Sequence, residues 1–145
     1  MRLPIVIVIL LPLAACVPHV SGLLPVSPSP NDGRVDSLTP KLQWEPFPER
    51  DDPHVTDVVY DLRVMGDGGA EFYSRQGLTT CAHKMEQALV PGRTYLWTVR
   101  VRFRWEGRRR ESQWSELIKP FGSASISASA RVYFPLCAPT ARDAK

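Results

Sequence analysis

The chain is predicted to be all-β on three observations: apolar and polar residues alternate with period two from Leu38 onward, the alternating runs are short, and Gly, Pro and Asp punctuate them. The longest run is Thr94 to Trp105. There Tyr95, Trp97, Val99, Val101, Phe103 and Trp105 share one parity, while Thr94, Thr98, Arg100, Arg102 and Arg104 hold the other. Successive strand side chains point to opposite faces, so one face is core and the other meets water. Tyr60, Leu62 and Val64 likewise alternate with Val59, Asp61 and Arg63.

Taken in order, the pattern predicts strands at Leu38 to Trp44, Val58 to Met65, Glu71 to Ser74, His83 to Leu89, Thr94 to Trp105 and Ser112 to Phe121, with a first strand near Ser29 to Val35. Met65-Gly66-Asp67-Gly68-Gly69 supplies a reversal between the second and third of these runs. It is not a phosphate cradle, because Ala70-Glu71 follow where a third glycine belongs and no long helix is predicted after it. Residues 122–130 are small and rich in Ser and Ala, a flexible composition. Arg131 to Leu136 then reads as an extra edge strand ahead of a disordered end.

The N-terminus carries an address. One arginine precedes an apolar run from Pro4 to Leu13, and Leu13-Ala14-Ala15-Cys16 closes it. The run is too short to span a bilayer, which needs about 20 apolar residues. Leu13 to Cys16 resembles the bacterial lipobox. That resemblance implies removal of residues 1–15 and acylation of Cys16, and Val17 in place of Asp resembles the outer-membrane sorting pattern. An ordinary cleaved signal with an incidental cysteine is the competing reading. Several acyl chains on one sulfur suffice for stable anchoring, which a single chain does not give.

Removing the first 15 of 145 residues leaves 130, the size of one domain with tails, and takes the net charge from +3 to +2. So small a charge gives no support to a nucleic-acid partner, and export argues against one. With Cys16 carrying lipid, Cys81 and Cys137 form an even pair in an oxidising compartment, and a disulfide between them is expected, contributing about 4 kcal/mol through loop closure. The two are 56 positions apart with no His at ligand spacing beside either, so no zinc site is expected. Residues 16–36 carry Pro18, Pro25, Pro28 and Pro30 and read as a lipid-anchored tether that can include the first strand. Residues 37–121 read as the sandwich, and 122–145 as the tail.

Leu42-Gln43-Trp44, Tyr60-Asp61-Leu62-Arg63-Val64 and Leu89-Val90-Pro91-Gly92-Arg93-Thr94-Tyr95 together resemble a fibronectin type III domain, over about Ser27 to Phe121. The resemblance implies an immunoglobulin-like sandwich of about seven strands with flexible extensions. It also implies that Trp44 is the buried second-strand tryptophan, that Trp97 continues the inward face, and that the Tyr95 hydroxyl bonds back to the chain a few residues upstream. The long acidic loop Pro46 to Thr56, the arginine-rich sixth strand and the segment after Phe121 depart from the family pattern.

Arg100, Arg102 and Arg104, followed by Arg108-Arg109-Arg110, form the candidate interaction surface together with Trp114. Two readings stay open. The guanidinium groups stack on Trp114 and pair with Asp61 or Glu111, a structural ladder worth about 0.5–2 kcal/mol per cation-aromatic contact. Alternatively the strip meets lipid headgroups, peptidoglycan carboxylates or an acidic protein face. Glu111-Ser112-Gln113-Trp114-Ser115 resembles the Trp-Ser-X-Trp-Ser motif of cytokine-receptor fibronectin domains with its first tryptophan replaced.

Glu49, Asp51, Asp52, His54 and Asp57 match no calcium-loop spacing, and Asp52-Pro53 starts a solvated turn there. Cys81 and His83 are a weak thiol and base pair, and no serine carries a nucleophile signature. No catalytic residue, metal or cofactor is assigned. The expectation is a lipid-anchored envelope protein whose fibronectin-like domain binds or scaffolds a protein or envelope polymer. The alternatives are an accessory subunit of a secretion or wall-synthesis complex and, behind it, a hydrolase or redox protein.

Overall fold

A computed structural model describes residues 22–30, 32–116, 133–141 and 143, so the lipobox, Cys16 and most of the Ser/Ala-rich tail lie outside the described residues. The chain forms β1 (Pro25–Ser27), β2 (Lys41–Trp44), β3 (Val55–Met65), β4 (Glu71–Leu78), β5 (Ala82–Lys84), β6 (Thr94–Trp105), β7 (Arg108–Glu111) and β8 (Phe134–Cys137). Short 3-10 turns at Pro48–Asp51 and Asp67–Gly69 flank β3.

Two antiparallel sheets result. One runs β1-β2-β5 and the other β4-β3-β6-β7, with β8 also pairing along β6. The alternation read from Thr94 to Trp105 is a single 12-residue strand, and it is the centre of the larger sheet. Its inward parity, Tyr95, Trp97, Val99, Val101 and Phe103, is buried against Leu42 and Trp44 of the smaller sheet, with Tyr60, Leu62 and Val64 of β3 beside it. Trp44 packs edge-on to Tyr60 at 5.7 Å between ring centroids, and Trp97 lies 6.1 Å from Phe134.

Tyrosine hydroxyls fix two loops from inside. Val90 N–H donates to the Tyr95 hydroxyl at 2.9 Å, and Phe47 N–H to the Tyr60 hydroxyl at 3.0 Å. Burial, the largest influence on Tyr60, and the neighbouring Cys81 push its pKa up to about 12, so it stays a neutral hydroxyl across the ordinary pH range.

Four expectations are corrected. The first strand is Pro25–Ser27, not Ser29 to Val35, where among the described residues only Arg34 bridges, in parallel, to Cys137. The strands expected at Leu38 to Trp44 and His83 to Leu89 shrink to β2 and β5. Their outer residues are held by single bonds, Met85 N–H to Pro40 O at 2.9 Å and Leu89 N–H to Leu38 O at 2.8 Å. Met85 and Leu89 are buried, so their spacing reported a core face rather than a ladder, and Pro40 has no N–H to extend one.

The strand expected at Ser112 to Phe121 is displaced to β7, and residues 117–121 lie outside the described residues. Past Glu111 the chain still follows β6, with Ser112 N–H bonded to Val101 O and Ser115 N–H to Val99 O, both at 2.9 Å. Three steps of this segment match two of β6, the offset of a bulge, which ends the regular ladder.

The fourth correction is the disulfide. Cys81 and Cys137 are both free, half-buried thiols. Cys137 pairs with Thr94, whereas Cys81 stands by Tyr60, whose partner on β6 is Val101. Thr94 and Val101 are about 23 Å apart along the strand at ~3.3 Å per residue. A disulfide needs Cα atoms within roughly 7 Å. Strand β8 therefore returns to Arg34 and not to Cys81. Its Cys137 N–H donates to Gly33 O at 2.8 Å, and the Cys137 thiol to Asp32 O at 3.4 Å.

Candidate functional site

The outward parity of β6 and the antiparallel register with β3 build the candidate surface. Asp61 pairs with Arg100, Val59 with Arg102 and Thr56 with Arg104, so three arginines line up beside one inward-tucked carboxylate. Asp61 is 1% exposed, and a buried carboxylate is tolerable only when its oxygens are fully engaged. They are. Arg102 forks onto it, Nε to Oδ2 at 2.7 Å and Nη2 to Oδ1 at 2.8 Å. Arg100 Nε adds a bond to Oδ2 at 3.1 Å, and Gly77 N–H, from β4, one to Oδ1 at 3.1 Å. Burial alone would raise the Asp61 pKa, but the bonds from Arg102, Gly77 and Arg100 more than offset it, and the group is held below the ordinary carboxylate range.

The rest of the ladder is neutralised in the same way. Glu111 meets Arg100 at 3.2 Å, Asp57 meets Arg104 at 2.8 Å, and Arg63 on β3 meets Glu71 at 3.0 Å. Trp114 lies between two cations, with Arg63 Cζ 4.6 Å and Arg100 Cζ 4.7 Å from its ring centroid. The serines beside it hold its chain against β6: Val101 N–H donates to Ser112 Oγ at 3.1 Å, and Ser115 Oγ donates to Val99 O at 2.6 Å. Thr98 Oγ1 donates to Ser115 O at 2.9 Å.

The six arginines singled out from the sequence thus divide. Arg100, Arg102 and Arg104 are spent on internal pairs. Arg108, Arg109 and Arg110 form no side-chain ion pair among the described residues, and Arg110 Nε is buried without a hydrogen-bond partner. Arg109 and Arg110, with Arg102 and Arg104, border an open depression of about 580 Å³ that also reaches Asp57 and Glu111. Arg63 was not singled out from the sequence, although its place on the outward parity of β3 was visible there. Only the cross-strand register reveals that it completes the stack on Trp114.

The remaining candidates separate into structural roles. Trp44, Tyr95 and Trp97 are core. His83 Nε2 shares a 2.6 Å hydrogen bond with the Tyr73 hydroxyl, and burial, then the charge of Arg75, lowers its pKa. Cys81 faces Tyr60 instead, so these two residues are not assembled as a thiol and base. In the acidic loop, the Asp52 carboxylate accepts from His54 N–H at 2.8 Å and Nδ1 at 2.9 Å, while Asp57 turns to Arg104. The backbone bond from His54 is the main reason the Asp52 pKa is lowered. Among the described residues no group of three His, Cys, Asp or Glu side chains is placed to hold a metal ion.

No protein-family model matches this chain, and no curated protein matches it.

Proposed function

We propose that the chain is a lipid-anchored protein of the bacterial cell envelope, in the outer membrane, whose fibronectin type III-like sandwich serves as a non-catalytic binding or scaffolding module. The sheet orders β1-β2-β5 and β4-β3-β6-β7 support the fibronectin reading, as do the buried Trp44 on β2 and the Tyr95 hydroxyl bonded to the loop before its own strand. The binding role rests on one observation above the others. A sheet face that neutralises its own arginines ends in a hairpin whose three arginines are left without carboxylate partners among the described residues.

The envelope address rests on Leu13 to Cys16. Intact mass measurement of the mature polypeptide tests it: a chain starting at Cys16 and bearing diacylglycerol and an amide-linked acyl group supports the reading. A bare thiol on protein released into the medium removes it.

An accessory subunit of an envelope assembly is the second reading, favoured by β4. This eight-residue strand ends the larger sheet, so its outer backbone edge is open to a partner strand among the described residues.

A further inference from the structure

We propose that the outer face of the smaller sheet, with Leu24 and Val26 at its β1 edge and Lys41 and Lys84 on β2 and β5, is the face this domain lays on the anionic bilayer that anchors it. The inference rests on the lipid-anchor reading above and adds the orientation of the domain to it.

Burial and register put these four residues on one face. Pro25 is buried, so its neighbours Leu24 and Val26 turn outward, where they are 57% and 55% exposed. On β2 the inward positions are Leu42 and Trp44, which leaves Lys41 outward, and Lys84 of β5 stands directly opposite it. Both lysines are exposed. Two strand spacings, about 10 Å, separate β1 from β5, so one small patch holds apolar side chains at one side and cations at the other.

The anchor arrives at this patch. Leu24 is the eighth residue after Cys16, so it lies within about 28 Å of the acylated sulfur even when the chain is fully stretched. Just before it the chain is seated on the domain: Leu23 is buried, and Gly22 lies against Trp114 and Ser115, where an added Cβ would stand 2.7 Å from Ser115 Cα. Among the described residues the exposed large hydrophobic side chains are Leu24, Val26 and Val90, so two of the three stand where the tether meets the fold.

Charge complementarity supplies the second attraction. Neither lysine has an ion-pair partner among the described residues. Like charges directly opposite on neighbouring strands cost stability, and anionic headgroups remove that cost. Glu45, bonded through its N–H to Leu24 O, sets one negative charge against the two lysines. Apolar side chains that enter the headgroup boundary, beside lysines that reach the phosphates, make an interfacial surface. The outward face of the larger sheet lacks this combination, because Arg100, Arg102 and Arg104 are already held by Asp61, Glu111 and Asp57. Lying on the smaller sheet, the domain turns that ladder and Trp114 away from the membrane.

The test uses the acylated mature protein, its lipid established by intact mass, in nanodiscs of phosphatidylcholine and phosphatidylglycerol doped with a lipid that carries a paramagnetic headgroup. The amide signals of Leu24, Val26, Lys41 and Lys84 are expected to be broadened away, while those of Arg100, Arg102 and Trp114, on the far sheet, persist. At roughly fivefold per lysine near an anionic surface, Lys41→Gln/Lys84→Gln lowers the ratio of docked to undocked domain by about 25-fold and restores the lost signals. Leu24→Ser/Val26→Ser restores them too, and neither pair changes the melting temperature. Equal broadening on both sheets overturns the proposal, as does broadening centred on Trp114 or on Arg108–Arg110. So do two double variants that both broaden like the parent. A bare Cys16 in the mass measurement removes the anchor reading and this proposal with it, whereas an acylated chain whose Leu24 and Val26 signals survive removes this proposal alone.

Discussion

Asp61 shows how much one buried charge can organise. Its carboxylate ties Arg100 and Arg102 on β6 to Gly77 on β4, across the strand that carries it. Removing one partner of a buried ion pair costs about 3–5 kcal/mol, and the half-exposed arginines here recover part of that in water, so Asp61→Ala is expected to lose about 2–3 kcal/mol in urea unfolding. The pH dependence follows from the direction of its shift. The folded-state pKa lies below that of the unfolded chain, so the unfolded chain binds the proton first. The stability Asp61 contributes is complete above the ordinary carboxylate range and is lost as pH falls through the depressed folded value. Unfolding curves of Asp61→Asn should therefore fall less steeply with acid than those of the parent; equal slopes would remove Asp61 as a source of acid lability. The pairing was half legible beforehand. Alternation placed Arg100, Arg102 and Arg104 on one face and made Asp61 a candidate partner, but which arginine forks onto it depends on register, and register is set by long-range packing.

At the scale of elements, the extra edge strand expected over Arg131 to Leu136 is present as β8, but its place along β6 is not legible from local sequence. Its four residues follow a stretch of small residues and carry a proline, so local propensity gives them little reason to be a strand. They become one because β7 covers only the Phe103 end of β6, leaving Thr94 to Trp97 with an unpaired edge that Phe134 and Leu136 can fill while burying their side chains. Docking also requires close passage of Gly33. It has φ +63°, and a Cβ added there would stand 2.2 Å from Pro135 O. Gly33→Ala therefore combines a left-handed backbone penalty of about 1–2 kcal/mol with a backbone clash that nothing flexible relieves. It should cost at least about 2 kcal/mol and speed amide exchange at Cys137 and Ala138. Gly68→Ala, at φ +79° with nothing within 4 Å, carries the backbone penalty alone and serves as the comparison. Exchange at Cys137 no faster in Gly33→Ala than in Gly68→Ala would show that β8 does not depend on that passage. The strands expected at Thr94 to Trp105 and Val58 to Met65 are the long ones, where many alternating positions agree. Glu71 to Ser74 lies within β4, whereas the runs at Leu38 to Trp44 and His83 to Leu89 overreach their strands, because single bonds and buried loop residues imitate the same pattern.

For the whole molecule, the free thiols change what holds the two sheets together. Two cysteines in one small domain invite a covalent staple, yet Cys81 and Cys137 are anchored at different levels of the sandwich, by Tyr60 and by the Gly33 and Asp32 backbone. Cohesion therefore comes from the shared core: Leu42, Trp44, Tyr60, Leu62, Trp97, Val99 and Leu136 are all at most 2% exposed. Burying such side chains stabilises by about 1.5–3 kcal/mol each before the entropy of ordering is subtracted, so a core of this kind can carry a domain without a cross-link. The consequence is measurable in residues 16–145 with Cys16→Ser, which removes the third thiol. Unfolded under non-reducing conditions, this chain should take up two alkyl groups, and its melting temperature should be the same with and without a thiol reductant. A bond between Cys81 and Cys137 would instead block alkylation and lower the melting temperature on reduction. It would also require β8 to leave Thr94 to Trp97, because the register that seats Leu136 in the core keeps Cys137 about 23 Å along β6 from the level of Tyr60.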